Sequence, residues 1–441
     1  MDKARMTAAI VLNEIMEQGA YANVALTKEL SRTELSRLDR RLVTELVYGA
    51  TKAWGSVDYV LGCYLNRPLS KIPPMIRAVL RMGIYQLFWL DKIPPSAAVN
   101  TAVDLAKKYA HPGTVKFVNA VLRSASRAPE KAAFPEADRA LHLSLAKEHP
   151  LWLVKHWLRE FGEAETIRLL DFDNEPPYLS LRANTLKISR EGLVKKLQSL
   201  GLKTEISPWA PEGVICGGDL PLSAITPLSD GLCQAQDISS MLAAHVLGAR
   251  PGETVIDACS APGGKATHLA ALMENRGKVI ASDIYDHKLA RVRENARRLG
   301  IGIIETKLVE AQQLGKKYPA AADRLLLDVP CSGLGVLRRR ADARWRKTAD
   351  TSKELLPLQR EIMLGAADAL KPGGVMVYST CTMEESENAA MVESFLQARP
   401  DFSLSPAGKF LPCAKRDETM IRLYPQRDGI DGFFIARLEK S

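Results

Sequence analysis

The chain has 441 residues, of which 46% are hydrophobic and 25% charged, and 60 Lys plus Arg against 51 Asp plus Glu give it a formal charge of +9. This composition excludes a largely disordered chain, a collagen-like repeat and a disulfide-rich mini-protein, and the length suffices for roughly three domains. The positive balance favours anionic partners without naming one.

The charge is unevenly spread. Residues 1–127 carry a balance of +8 and residues 128–441 only +1. Within the first part, residues 51–127 hold 11 basic against 3 acidic side chains, which predicts either a solvated basic face or a surface that neutralises nucleic-acid phosphates. Residues 1–17 include Asp2, Lys3, Arg5, Glu14 and Glu17, so no signal peptide is expected. No apolar run approaches the roughly 18 to 20 residues of a membrane span. The seven cysteines, at 63, 216, 233, 259, 331, 381 and 413, form no C-x-x-C pair. A reducing cytoplasm, no disulfide framework and no metal are expected.

Residues 1–130 predict an all-helical domain. Apolar residues recur at helical spacing in Ala8, Val11, Leu12, Ile15 and Met16, in Leu42, Leu46 and Val47, and in Ile76, Val79, Leu80 and Ile84. Breaks are predicted at Pro73-Pro74, Pro94-Pro95 and Pro112-Gly113. Residues 128–145 read as a linker. Residues 146–235 read as a small α+β segment, with a helix over Pro150–Phe161 and a strand at Tyr178–Arg182. Residues 236–441 alternate strands (254–257, 278–283, 324–328, 374–379 and 432–437) with helices such as 266–273 and 287–299. That pattern predicts a doubly wound, parallel α/β sheet of the Rossmann-like class, with ligands at the carboxyl ends of its strands.

Three stretches at such strand ends carry chemistry. The first, Asp257-Ala258-Cys259-Ser260-Ala261-Pro262-Gly263-Gly264-Lys265, follows a strand and opens a helix, and Asp283 ends the next strand. The glycines let backbone approach a ligand, the helix N-terminus offers free N–H groups, and a strand-end carboxylate accepts ribose hydroxyls. Neither G-x-G-x-x-G nor a P-loop is present, which disfavours a dehydrogenase or a nucleotide triphosphatase and points to an adenosyl ligand without pyrophosphate, S-adenosylmethionine. The other two, Asp328-Val329-Pro330-Cys331-Ser332 and Tyr378-Ser379-Thr380-Cys381-Thr382, place a cysteine at each of two strand ends. Carbon 5 of a pyrimidine is too weak a nucleophile to attack a methyl sulfonium. A thiolate adding to carbon 6 creates an enamine that can, and Lys265 is a candidate for the positive charge that favours a thiolate.

These motifs resemble the RNA cytosine-5 methyltransferases. D-A-C-S-A-P-G-G-K resembles the family's adenosylmethionine motif, D-V-P-C-S-G its D-A-P-C-S-G, and Y-S-T-C-T its S-T-C-[ST]. Glu387-Asn388, the closing Gly432-Phe433-Phe434-Ile435-Ala436, and Gln236-Asp237 with Ser239-Ser240 extend the resemblance over about 200 residues. It implies Cys381 as the nucleophile that bonds cytosine and Cys331 as the helper in proton removal and release. It further implies Asp328 at the ring edge and bordering the cofactor, Asp283 on the ribose, residues 259–265 around the cofactor, and Glu310, where the family usually has Asp, on the adenine.

Residues 46–49, 83–87 and 117–123 resemble the helical RNA-binding domain of the antitermination factor NusB. The fusion is the layout of the bacterial small-subunit ribosomal RNA cytosine-5 methyltransferase B family. It implies a cytosine in naked or partly assembled 16S ribosomal RNA as substrate. No coiled coil is evident in the sequence, and a monomer is expected. The rival readings are the same reaction on transfer RNA and a non-catalytic RNA-binding assembly factor. Arg338, Arg339, Arg340, Arg344, Arg346 and Lys347, around Trp345, are expected to touch RNA backbone beside the active site, with Trp345 stacking on a base.

Overall fold

The computed structural model describes residues 2–218, 220, 222–413 and 416–441. It divides into two compact units, one of residues 1–175 with 337–349, the other of 176–336 with 350–441.

The first unit is helical: α1 (Lys3–Gln18), α2 (Ala22–Arg32), α3 (Arg37–Lys52), α4 (Trp54–Gly62), α5 (Pro74–Trp89), α6 (Pro95–Tyr109), α7 (Pro112–Arg127), α8 (Arg139–Ala146) and α9 (Leu151–Asn174). The residues spaced for a helical core are buried together, among them Ala8, Val11, Leu12 and Ile15 of α1, Leu46 and Val47 of α3, and Ile76, Val79, Leu80 and Ile84 of α5. The predicted proline breaks do more than stop helices. Pro74, Pro95 and Pro112 each start the next one, where a missing N–H costs nothing and the fixed φ suits the helix. Two glycines mark close crossings. A Cβ on Gly49 would meet the Tyr85 hydroxyl at 1.9 Å, and one on Gly83 would meet Leu122 at 2.8 Å.

Three expectations change in this unit. The stretch read as a linker contains α8, capped by the Asp138 carboxylate on the Leu141 N–H. α9, which opens the expected 146–235 segment, groups with the helical unit by its packing and is broken at Gly162 (φ +75°) just after the predicted Phe161 end. The largest change concerns 337–349, expected as an RNA-touching loop, which instead threads into the helical unit. Arg344 is fully buried and donates to the carbonyls of Glu148 (2.9 Å) and Asp173 (3.0 Å) and to Asn174 Oδ1 (3.0 Å). Trp345 donates its indole N–H to the Lys52 carbonyl, and its ring fills the space over Gly55. Arg346 donates to the carbonyls of Gly19 and Ala20, and Arg338 lies over the Phe172 ring at 4.2 Å. Arg344 and Arg346 thus satisfy backbone carbonyls with several guanidinium donors at once, whereas Arg340 is exposed.

The second unit opens with a small antiparallel sheet, ordered β2-β3-β1-β4, from β1 (Leu179–Ala183), β2 (Lys203–Ile206), β3 (Gly213–Gly217) and β4 (Cys233–Ala235). Its Arg182 is buried against the main domain, donating to Gln236, the Gly264 carbonyl and Thr267. The main sheet comprises β5 (Thr254–Asp257), β6 (Lys278–Asp283), β7 (Ile304–Leu308), β8 (Ala322–Asp328), β9 (Leu370–Thr380), β10 (Phe402–Ser405), β11 (Met420–Leu423) and β12 (Phe433–Lys440). Its order is β10-β12-β9-β8-β5-β6-β7, with β11 also on β12. The predicted strands β5, β6, β8 and β9 are parallel as expected, and β7, which the sequence reading did not include, extends the parallel set on β6. The closing strand departs from a purely parallel sheet, because β12 pairs antiparallel with β9, β10 and β11. Alternate residues feed two cores, one per face: Val255, Ala281, Leu326 and Val377 on one, Ile256, Ile280, Leu325 and Met376 on the other. Among the described residues no helix is long and apolar enough to cross a membrane.

Candidate active site

β5, β6, β7, β8 and β9 end on the same edge because they are parallel and in register: Asp257 lies opposite Ala281 and Leu326, Asp283 opposite Leu308, Asp328 opposite Ser379. Every strand-end residue singled out from the sequence is therefore brought to that edge.

Between β5 and the helix Gly264–Leu272 the chain turns tightly. Gly263 takes a φ of +101°, and a Cβ there would press on Val292 at 3.1 Å. Its N–H closes on the Ser260 carbonyl at 2.7 Å. Ser260, where the resembled family usually has Ala, is accommodated by a hydrogen bond from its hydroxyl to the Ser282 carbonyl at 3.1 Å. Asp283 accepts the Tyr285 N–H at 3.1 Å. Val309 N–H donates to the Asp283 carbonyl, which sets the exposed Glu310 beside the end of β6.

Lys265, in the first turn of that helix, meets Asp328 at the end of β8, Nζ to Oδ2 2.6 Å. Ser379 donates to the other Asp328 oxygen at 2.9 Å. Burial opposes the Lys265 charge, but Asp328 outweighs it, with Asp257 and Cys381 adding, so the ammonium is held above the usual lysine range. Its Nζ also lies 5.4 Å from the centre of the Phe433 ring.

The two cysteines converge, Cys331 Sγ to Cys381 Sγ 3.3 Å. The hydrogen bond to Cys381 and then burial hold the Cys331 thiol well above the ordinary range, and the nearby Glu387 adds to this. The shared hydrogen bond and burial thus disfavour a thiolate at Cys331. The loops carrying them are stiffly held. Glu387 accepts the Ser332 N–H (2.9 Å) and the Gln359 amide (2.8 Å), and its carbonyl accepts the Tyr378 hydroxyl. Asn388 spans Thr380 Oγ1 and the Thr382 carbonyl. Gly335 donates to the Cys381 carbonyl and accepts from the Gly432 N–H, an approach so close that a Cβ on Gly335 would strike the Gly432 carbonyl at 2.4 Å.

Sequence reasoning left Asp257 without a role. It is fully buried, with neither carboxylate oxygen hydrogen-bonded. Burial, then the charge of Asp328, push it up to about 7, against the pull of Lys265. Asp257, Asp283, Asp328 and Glu310 against Lys265 leave this edge with surplus negative charge, which suits a cationic ligand. Since the folded pKa lies above the roughly 3.9 of an exposed aspartate, ionisation costs stability, and the cost grows from about pH 4 and is complete above about pH 7. Denaturant titrations across pH should show the unliganded protein losing stability through this window relative to Asp257→Asn. Parallel profiles for the two proteins would contradict the assignment.

Away from this edge, Glu212, His245 and His268 bring ligand-type atoms within 4.8 Å of one another. Glu212 lies 3.0 Å from His245 Nε2 and 2.8 Å from His268 Nε2. Burial works to raise Glu212, but its two histidine partners outweigh that and hold it low, while burial and then the Arg182 charge bring His268 down to about 3. The positive charge of Arg182 beside this group opposes a further cation.

Comparison with known proteins agrees with this architecture. Residues 244–439 match the family described as 16S rRNA methyltransferase RsmB/F, residues 2–127 the NusB family, and residues 149–222 the ferredoxin-like domain of RsmF/B-like methyltransferases. The chain is 39% identical to a probable ribosomal RNA small subunit methyltransferase B of Synechocystis sp. over the whole length of both. It is 36% identical to the Bacillus subtilis protein of the same description, over 99% of this chain and 98% of that one. Among solved structures, PH0851 superposes with a TM-score of 0.86 at 27% identity over 99% of both chains. NSun6 from Pyrococcus horikoshii, solved with SFG, matches 66% of this chain and 98% of its own, with a TM-score of 0.58 and 27% identity.

Proposed function

The chain belongs to the 16S rRNA methyltransferase RsmB/F family, and from that premise we propose that it moves a methyl group from S-adenosylmethionine to carbon 5 of a cytosine in 16S ribosomal RNA. The observation that carries the reading is the 3.3 Å pair of Cys331 and Cys381 beside the Lys265–Asp328 ion pair.

In this account Cys381 attacks carbon 6 as a thiolate, favoured by the Lys265 ammonium. Carbon 5 of the resulting enamine takes the methyl group. The carbon 5 proton passes to the Cys331 sulfur, which hands its own proton to the Cys381 sulfur as the carbon–sulfur bond breaks and the aromatic ring is restored, a relay along the hydrogen bond the two sulfurs share. Asp328, fixed by Lys265 and Ser379, contacts the cytosine ring edge. Residues 259–265 surround the cofactor, Asp283 takes the ribose hydroxyls and Glu310 the adenine amino group. The sulfonium and ammonium of S-adenosylmethionine meet the surplus carboxylates, Asp257 among them. No step calls for a metal. The cytosine must leave its stack to reach Cys381, which suits naked or partly assembled RNA in the cytoplasm. Labelled S-adenosylmethionine should deliver its methyl group to unmodified 16S RNA, and label entering only transfer RNA would overturn the substrate assignment.

The helical unit supplies phosphate contacts. Arg77 and Arg81 are neutralised internally by Glu17 and Asp58, but Lys108, Lys116 and Arg123 on α6 and α7 are exposed, as is Lys107, which pairs with the exposed Asp104 at 2.8 Å. Replacing these four by Gln should weaken RNA binding and lower the salt slope by about 0.7 to 0.9 per lost phosphate contact. An unchanged slope in a filter-binding series would return them to a solvated face.

A further inference from the structure

A second basic feature lies on the catalytic unit, away from the residues used above. A cleft of about 650 Å³ opens along β11 and is lined by Arg416, Met420, Arg422, Tyr424, Arg427 and Asp428, among others. Its three guanidinium groups are not equivalent. Arg416 is neutralised by Asp428 at 2.8 Å. Arg422, with its side chain 37% exposed, lies 5.9 Å from the centre of the Phe434 ring and pairs with the exposed Glu385 at 3.2 Å. Arg427 is exposed and lies over the Tyr424 ring at 3.9 Å. Two cations and an aromatic ring thus face a space of the size that holds a nucleotide-sized group.

The sheet register sets the cleft near the cysteines. Arg422 lies opposite Phe434, and Phe434 lies opposite Thr380, the neighbour of Cys381. At about 4.8 Å between adjacent strands, the Arg422 backbone is roughly 10 Å from that of Thr380. A neighbouring nucleotide of the same strand spans this distance when one base is extruded. An exposed carboxylate such as Glu385 is readily exchanged for a phosphate, which accepts both guanidinium donors.

We propose that this cleft binds the RNA strand next to the target cytosine, with Arg422 and Arg427 on a phosphodiester and Tyr424 stacking on the adjoining base. The inference rests on RNA being the substrate and adds the residues that hold the flanking nucleotide.

The test is the binding of a fluorescein-labelled single-stranded oligoribonucleotide to the full chain over a salt series. Arg422→Gln with Arg427→Gln should weaken binding about tenfold and lower the log–log salt slope by about 0.7 for each phosphate released. S-adenosylmethionine affinity, read by calorimetry, should be unchanged. Arg422→Lys with Arg427→Lys should keep the slope. Equal affinity and slope in the Gln variant overturn the proposal while leaving the methyltransferase reading intact, whereas a wild-type chain that binds no RNA removes both. Photo-crosslinking the wild type to 4-thiouridine RNA needs no variant. The adduct should map to residues 423–427, and crosslinks confined to other peptides overturn the proposal.

Discussion

Cys381→Ala should abolish methyl transfer, lowering the rate by about four orders of magnitude or more, while S-adenosylmethionine should still bind. The size of the loss follows from the chemistry. Without addition at carbon 6, carbon 5 does not become nucleophilic, and Cys331, the other thiol at this edge, is assigned to the later half of the reaction. Cys331→Ala should behave differently. In the proposed mechanism its thiol, 3.3 Å from the Cys381 sulfur, serves the later half of the reaction. Addition and methylation then proceed but release stalls, and a protein–RNA adduct that survives denaturing electrophoresis accumulates. The double variant should form no adduct. An adduct from Cys381→Ala with none from Cys331→Ala would exchange the two roles.

Arg344→Ala should cost the helical unit about 3–5 kcal/mol, enough to unfold much of a marginally stable unit. The side chain is fully buried and donates to two backbone carbonyls and to Asn174. Truncation strands these acceptors in a site water cannot enter and leaves a cavity. Thermal or denaturant unfolding measures the loss. A variant with unchanged stability but weaker RNA binding would instead restore the expectation that this arginine touches RNA.

The fate of that cluster shows what a sequence displays and what it hides. Arg338–Lys347 follows the Cys331 loop closely, and nothing in composition separates a guanidinium facing phosphate from one facing buried carbonyls. The helix that receives the segment, α9, lies more than 160 residues earlier in the chain. The strand-end motifs were legible because short-range rules decide them: a parallel strand must deliver its last residue to one edge, so Asp257, Asp283, Asp328, Cys331 and Cys381 meet there. The 3.3 Å approach of the two sulfurs was not legible, since it depends on Glu387 and Asn388 bracing the loops across the fold. The role of Asp257 was hidden for a similar reason, because its raised pKa comes from burial and from Asp328, 71 positions away in the chain. The antiparallel β12 escaped as well, because strand direction is set by how the chain returns and leaves no mark on hydrophobic periodicity. The helical core and its proline punctuation, both local patterns, were read with little loss.

The central claim is methylation at carbon 5 through a covalent cysteine adduct. The most direct test uses unmodified 16S RNA transcribed with cytidine tritiated at carbon 5, incubated with the protein and carbon-14-labelled S-adenosylmethionine. The account predicts one tritium released to water for every methyl group transferred, and neither signal from Cys381→Ala. Methyl incorporation with tritium retained would place the methyl group on another atom and contradict the account.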